Sequence, residues 1–400
     1  MFTMKYLLPA LAIAGTAAAS SSCSGTTTLQ NGGDATALAA CSTYSGDVVI
    51  ATGAAGNIAI NTIQSITGSL TGLNGAQLTG LEADSLQTIG QQFSLQNMTV
   101  LSTLSFARLA QVGSINWIAL PALQSLNFDT QVQKASGVLI TDTQLGSLQG
   151  INLQEVDNFN INNNPYLNEI NVQLGNITQS LNIEANGKNL SASFPNLEWA
   201  YNMTFRNCSS VSVPSLASVN GSMGFYSNEF TDFAAPNLTS TKQGSLVFVS
   251  NTALTNISLP VLTTIGGGYQ IANNTKLSEV NGFTKLSTIA GALDFSGNFT
   301  SVDLPALSDV RGGFNMQSSA PLDCSAFQKE KSSGAIKGSF TCKGKLVKPS
   351  TKGSNPTASS SSSATSASAT KKSAASGRFE VKAAAVVLSV FVAGLMHISF

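Results

Sequence analysis

The 400-residue chain is poor in ionisable side chains: 20 Lys and Arg face 20 Asp and Glu, and charged residues make up only 10% of the total. A neutral chain has no cationic face with which to displace the counterions of a nucleic acid, so no nucleic-acid partner is expected. Histidine is scarcer still. The single one, His397, lies in the apolar segment that ends the sequence. Its confinement there removes Ser-His-Asp and Cys-His hydrolysis, His-ligated zinc and most neutral-pH general-base schemes from the rest of the chain. No Walker loop, dinucleotide fingerprint or Cys-x-x-Cys pair occurs, and no cofactor, metal or small-molecule substrate is expected. The run Gly266-Gly267-Gly268 recurs as a single glycine in sister segments and reads as a turn into a strand.

A carboxylate pair is the one catalytic device left, because glycoside hydrolysis needs only two acids. Glu184 and Asp294 fall at outward strand positions. They stand several repeats apart, about 24 Å at ~4.8 Å per stacked strand, whereas glycosidases hold their acids roughly 5–9.5 Å apart. Both read as solvated surface acids and the chain as a non-enzyme.

The two ends carry targeting signals. Lys5, an apolar run from Tyr6 to Ala14 and the small residues Ala17, Ala18 and Ala19 fit a secretory signal peptide over 1–19, cleaved after Ala19. At the other end an apolar stretch from Ala383 to Phe400 follows a polar spacer with Arg378, Glu380 and Lys382. Before the spacer lie small residues, and Ser373, Ala374 or Ala375 is the expected attachment site of a glycosylphosphatidylinositol (GPI) anchor, with 377–400 removed. Residues 343–376 are rich in Ser, Thr, Ala, Lys and Pro and read as a stalk with nothing apolar to pack. Roughly 30 such residues reach about 100 Å when extended, and their Ser/Thr density suits O-glycosylation.

Ten Asn-x-Ser/Thr sequons lie between the ends. Asn97, Asn176, Asn189, Asn202, Asn207, Asn220, Asn237, Asn256 and Asn273 are expected to carry glycans, which would supply the solubility that charge does not. The tenth, Asn298, falls where the repeat register turns an asparagine inward, and is expected to stay unmodified.

Five cysteines follow the signal. Cys23 and Cys41, and Cys324 and Cys342, lie 18 residues apart at either end of 20–342, and two local disulfides are their natural pairing in an oxidising compartment. Between them runs a repeat of about 19 to 24 residues. Its first half has the form apolar-x-x-apolar-x-Gly-x-apolar, as in Leu216-Val219-Gly221-Met223, Leu262-Ile265-Gly267-Tyr269 and Leu307-Val310-Gly312-Phe314. Its second half alternates and ends in Asn, as in Phe159-x-Ile161-x-x-Asn164, Leu181-x-Ile183-x-x-Asn186 and Leu246-x-Phe248-x-x-Asn251. Alternation at period two is a strand with one face inside, and the Asn is the residue that leucine-rich repeats use to satisfy backbone groups at the turn. Cys208 occupies that slot in Met203-x-Phe205-x-x-Cys208 and reads as a buried structural thiol.

One repeat cannot bury its own apolar side, so the repeats must stack. The expected fold is an all-β-rich, right-handed parallel β-helix or leucine-rich-repeat-like solenoid with disulfide-capped ends. The register is loosest over 100–143, where the stack could divide into two lobes near 100–190. Outward positions Ser94, Gln96, Asn182, Tyr226, Gln270, Ser296, Asn315 and Gln317 form either a carbohydrate-binding face or a merely hydrated sheet.

Taken together, the signal, the Cys-capped array of Leu-x-x-Ile-x-Gly-x-Phe repeats, the Ser-rich stalk and the anchor signal resemble the fungal GPI-anchored cell-wall organisation glycoproteins. The ectodomain of that family is similar to the L-domains of growth-factor receptors. The resemblance implies a role in wall integrity and morphogenesis, residence at the extracellular face of the plasma membrane or in the wall, contact with wall polysaccharide (β-glucan or the mannoprotein layer), and no catalytic residues. An adhesin or receptor-like module, or a β-glucan transglycosidase, are the alternatives.

Overall fold

The structure is a computed structural model, and it describes residues 23–351. The expected signal peptide over 1–19, anchor site at Ser373, Ala374 or Ala375, removed tail over 377–400 and stalk beyond 351 lie outside the described residues. Within them, one parallel sheet runs the whole length. Its strands, among them Thr88–Gln96, Gln111–Leu120, Gly137–Thr143, Glu155–Asn162 and Asn176–Glu184, are contributed once per coil. Phe159, Leu181, Met203, Met223, Leu246, Tyr269, Leu293 and Phe314 stand side by side in successive strands, as the repeat register requires.

The alternation explains the core. Along Trp199–Arg206, Met203 and Phe205 are buried while Thr204 and Arg206 between them are partly exposed. Corresponding residues then meet their own kind one coil away: the Phe205, Phe225 and Phe248 rings stack at centroid distances of 5.5 and 4.7 Å, nearly parallel. Each buried Leu or Phe is worth about 1.5–3 kcal/mol against exposure, and no single coil could collect that alone. The glycine slot has a steric cause. A Cβ on Gly267, Gly291 or Gly312 would lie 2.7 Å from backbone of a neighbouring coil. The glycines let the chains close up where each coil enters its main strand, which settles Gly266-Gly267-Gly268 as a turn.

The second side of the coil is made of shorter pieces. Gln77–Glu82 pairs with Ala55–Ala59 on one side and Thr103–Ser105 on the other, and Ser191–Ser193 pairs likewise with Glu169–Asn171 and Ser210–Ser212. Between these two groups the pairing thins to single bridges, Ser105 with Asn127 and Ser147 with Glu169. This is the stretch of loose register. Gln131 and Gly150 take positive φ there (65° and 103°), so its turns differ from those of the sister repeats. The main sheet nevertheless passes through it with paired strands from Thr88–Gln96 to Asn176–Glu184, and no gap separates two lobes.

Both ends are closed as the cysteine spacing suggests, by Cys23–Cys41 and Cys324–Cys342. Each bridge encloses a short helix, α1 (Gly32–Ala37) and α2 (Ser325–Ser332). Among the described residues no helix is long and apolar enough to cross a membrane.

Candidate functional site

The asparagine slot is structural. Nδ2 of Asn164, Asn186, Asn228, Asn251 and Asn274 donates to the carbonyls of Ile140, Ile161, Phe205, Phe225 and Phe248 at 2.8–3.1 Å. Their Oδ1 atoms accept the backbone N–H of the slot residue one coil earlier, as from Asn228 to Asn251 (2.9 Å) and from Asn251 to Asn274 (2.8 Å). Buried backbone groups at the corner are thereby satisfied. The residue before the slot turns the corner in the left-handed conformation, including Asn97, Asn163, Asn207 and Asn273 (φ 53–59°). Asparagine is the side chain that tolerates this best after glycine.

Cys208 interrupts the ladder. Its N–H still reaches Asn228 Oδ1 at 2.9 Å, but its thiol offers only a 3.8 Å contact to the Arg206 carbonyl. Burial pushes that thiol up to about 12. A thiol so reluctant to ionise is no nucleophile.

The expected inward placement of Asn298 is corrected by the fold. Gly297 continues the strand Leu293–Gly297 instead of turning the left-handed corner, so Asn298 is carried outward and exposed, and Phe299 takes the buried place. The other sequon residues Asn97, Asn189, Asn207, Asn237, Asn256 and Asn273 are exposed, and Asn176, Asn202 and Asn220 half-buried.

Past an entry column that holds Ser114, Asn158, Ser180 and the sequon residue Asn202, the outward face of the main sheet has two further columns of side chains. One contains Ser94, Asn116, Asn160, Asn182, Thr204, Gly224, Val247, Gln270, Asp294 and Asn315; the other contains Gln96, Asn162, Glu184, Arg206, Tyr226, Val249, Ser296 and Gln317. None of the ten sequons falls in either column. Asn97, Asn207, Asn273 and Asn298 lie along the exit corner, Asn202 in the entry column with Asn176 and Asn220 beside it, and Asn189, Asn237 and Asn256 outside the main-sheet strands.

At the middle of this face sits a cluster that sequence reading caught only in part. Tyr226 was visible as an outward aromatic, but not its setting. Its ring lies flat over Gly224, where a Cβ would come within 2.6 Å of the ring. The Arg206 guanidinium packs over the ring at 4.8 Å and reaches Glu184 Oε2 at 3.4 Å. Burial holds the Tyr226 phenol above its usual range, so it stays a neutral donor. Strand pairing places these residues in consecutive coils; the absence of a side chain at Gly224 was the signal that the ring could lie down.

Toward the C-terminal end the face is closed. Asp294, Ser296, Asn315 and Gln317 point outward yet are only 4–6% exposed. After strand Phe340–Lys343 the chain turns at Lys345 (φ 57°) and doubles back across the sheet, where Ser350 bonds Gln317 and Asn315. Residues 344–351, read from composition as unpacked stalk, are thus a strap on the solenoid. Leu346 and Val347 were the sequence signal for it. Asp294 is accordingly no solvated acid: its Oδ1 accepts from Asn315 Nδ2 at 2.7 Å. Glu184 and Asp294 remain five strand-to-strand steps apart, about 24 Å at ~4.8 Å each, and do not form a catalytic pair. Among the described residues no group of three or more His, Cys, Asp or Glu is placed to hold a metal.

Comparison with known proteins agrees in one direction. A family described as Ecm33, GPI-anchored cell wall organization protein, matches residues 1–39. A cell surface GPI-anchored protein of Arthroderma benhamiae is 45% identical over 352 residues, 88% of this chain and 90% of that one. Protein ecm33 of Aspergillus fumigatus is 43% identical over 366 residues, 90% and 91% of the two chains. Cell wall protein ecm33 of Schizosaccharomyces pombe is 34% identical over 376 residues, 87% and 83%. None of these names is that of an enzyme. No solved structure matches.

Proposed function

The chain belongs to the Ecm33 family of GPI-anchored cell wall organization proteins, and from that premise we propose that its ectodomain is a non-catalytic contact module whose main-sheet face meets neutral wall polysaccharide. The protein acts at the cell surface in organising the wall. The observation that carries the contact reading is the sequon map. A molecule clad in sugar on its corners presents protein surface where the sequons stop, and they stop at the two outward columns centred on Tyr226. A flat ring beside a fixed guanidinium–carboxylate pair and the amides of Asn182 and Gln270 offers an apolar platform with hydrogen-bonding groups at its edge. That combination suits a sugar ring, and the strand spacing is comparable with the length of one hexose along a chain.

In the same reading, residues 1–19 are removed on secretion, the stalk follows the strap, and the anchor replaces 377–400 at Ser373, Ala374 or Ala375. The nine sequons from Asn97 to Asn273 carry glycans. The test is co-sedimentation of the secreted ectodomain with insoluble β-glucan, chitin or mannan, beside the Tyr226→Ala and Arg206→Ala variants. Binding to one polymer that falls about tenfold in the variants supports the reading. Binding to none, or binding indifferent to both substitutions, removes it. Redistribution of chain lengths in β-glucan oligosaccharides incubated with the protein would overturn the non-catalytic assignment.

A further inference from the structure

The strap is fastened at two places and arched between them. Lys345 and Leu346 donate their N–H groups to the carbonyls of Ala320 (2.9 Å) and Ser318 (3.0 Å). Ser350 donates its N–H to Gln317 Oε1 (3.0 Å), and its carbonyl accepts from Asn315 Nδ2 (3.0 Å). Between these points Val347 is fully exposed, and Pro349 overhangs a cleft of about 370 Å³ walled by Asn273, Thr275, Ser296, Asn298 and Ser319. The cleft exists because the corner fails to turn in here. In earlier coils the left-handed residue tucks the chain inward; Gly297 does not, and the ridge steps out beneath the strap.

Asn298 stands in the wall of this cleft with its amide fixed. Its Oδ1 accepts from Ser319 Oγ at 2.9 Å, and Nδ2 has no hydrogen-bond partner among the described residues. Asn298-Phe299-Thr300 is a sequon. We propose that Asn298 is N-glycosylated and that its first N-acetylglucosamine seats under Pro349, clamping the root of the stalk to the sheet. In the transfer, Nδ2 forms a bond to C1 of a lipid-linked oligosaccharide, the C1–O bond to the lipid diphosphate breaks, and the amide proton is lost as the lipid diphosphate leaves. That step precedes folding in the secretory pathway. The fold decides only whether the product is tolerated, and an outward Nδ2 beside an open cleft tolerates it. The walls suit the ligand: Thr275, Ser296 and Ser319 line the cleft with small uncharged polar side chains, and Pro349 adds an apolar surface for the C–H face of a neutral sugar.

Glycopeptide mass spectrometry on the secreted protein gives the first readout, with Asn298 occupied as the expected result. The second is cleavage of the native protein after Lys345 by a trypsin-like protease. Trimming with an endoglycosidase that leaves one N-acetylglucosamine should keep the strap protected. Complete removal with an amidase, or loss of the sequon in Asn298→Gln or Thr300→Ala, should speed cleavage about tenfold. Thr300→Ser retains the sequon and should behave as the parent. Shielding of Cys208 from thiol reagents reports in every case that the coils remain folded. An unmodified Asn298, or a strap equally protected with and without the single sugar, overturns the proposal; because no wall polymer enters the assay, its failure is separate from that of the contact reading.

Discussion

The two ends of the solenoid solve one problem by different chemistry. Each must cover the open face of a terminal coil, and each does so with a short helix inside an 18-residue disulfide loop. At the N-terminal end α1 is locally self-sufficient. Asn31 accepts from the N–H of Gly33 (2.8 Å) and Asp34 (3.3 Å), while Asp34 reaches back to the N–H of Gln30 (2.7 Å). Within the helix only Ala35 is buried, with Leu38 buried at its C-cap. At the C-terminal end α2 has Cys324 at its N-cap, with no cap bond from that side chain, and one N–H of its first turn, that of Ser325, bonded to Asp323 (2.9 Å). It is held instead by tertiary contacts: Phe327 packs on Phe314 at 5.2 Å, which stacks on Phe340 at 5.2 Å, and Lys331 Nζ bonds the carbonyls of Ile336 (3.1 Å) and Gly338 (2.9 Å). A cap with local capping can form before it docks, whereas α2 depends on the coil beneath it.

The strongest challenge to that contrast is Phe327→Ala, which should cost about 3–4 kcal/mol at the C-terminal end. Because each coil contacts only its neighbours, the loss should appear as faster hydrogen exchange confined to residues near Phe314–Phe340, and uniform loosening of the whole stack would contradict it. Replacing either cystine by a serine pair should cost about 3 kcal/mol on the loop-entropy argument. We expect the Cys324–Cys342 pair to matter more, since the N-cap residue of α2 makes no cap bond and the helix leans on tertiary contacts; equal losses in parallel thermal scans would erase the distinction. Asn31→Ala should cost about 1 kcal/mol, confined to α1, and an exchange map that leaves α1 unchanged would show that its cap is not autonomous.

The smallest effect is a pH dependence at one end only. Burial without a compensating partner pushes the Glu330 carboxyl in α2 up to about 7. Its folded pKa lies above its unfolded value, so the native cap favours the protonated acid. The stabilisation is full below about 4.5, the unfolded value, and is lost as pH rises through about 7. Exchange around α2, corrected for intrinsic rates, should therefore slow on acidification across that window, and Glu330→Gln should abolish the change.

Period-two alternation, the recurring Gly and Asn, and the paired cysteines made the coil legible before any coordinates. These are local rules repeated many times, so an error in one copy is outvoted by the rest. Asn298 shows where that consensus misleads. Its spacing matches the slot, but the neighbouring Gly297 continues the strand, and a single backbone choice sends the side chain outward. The binding face was legible only as alternation. Whether an outward residue meets solvent depends on chain far away in sequence, and the strap over Asn315 and Gln317 comes from more than 30 positions downstream.

By itself, then, the sequence determined that apolar side chains recur once per coil and that asparagines sit where backbone groups need partners, because burial and hydrogen-bond satisfaction act within a repeat and its neighbours. Only the tertiary structure decided which outward positions stay open, how Tyr226 lies over Gly224 under Arg206, and where the stalk takes its leave. Those outcomes depend on packing between segments whose spacing carries no periodic signal.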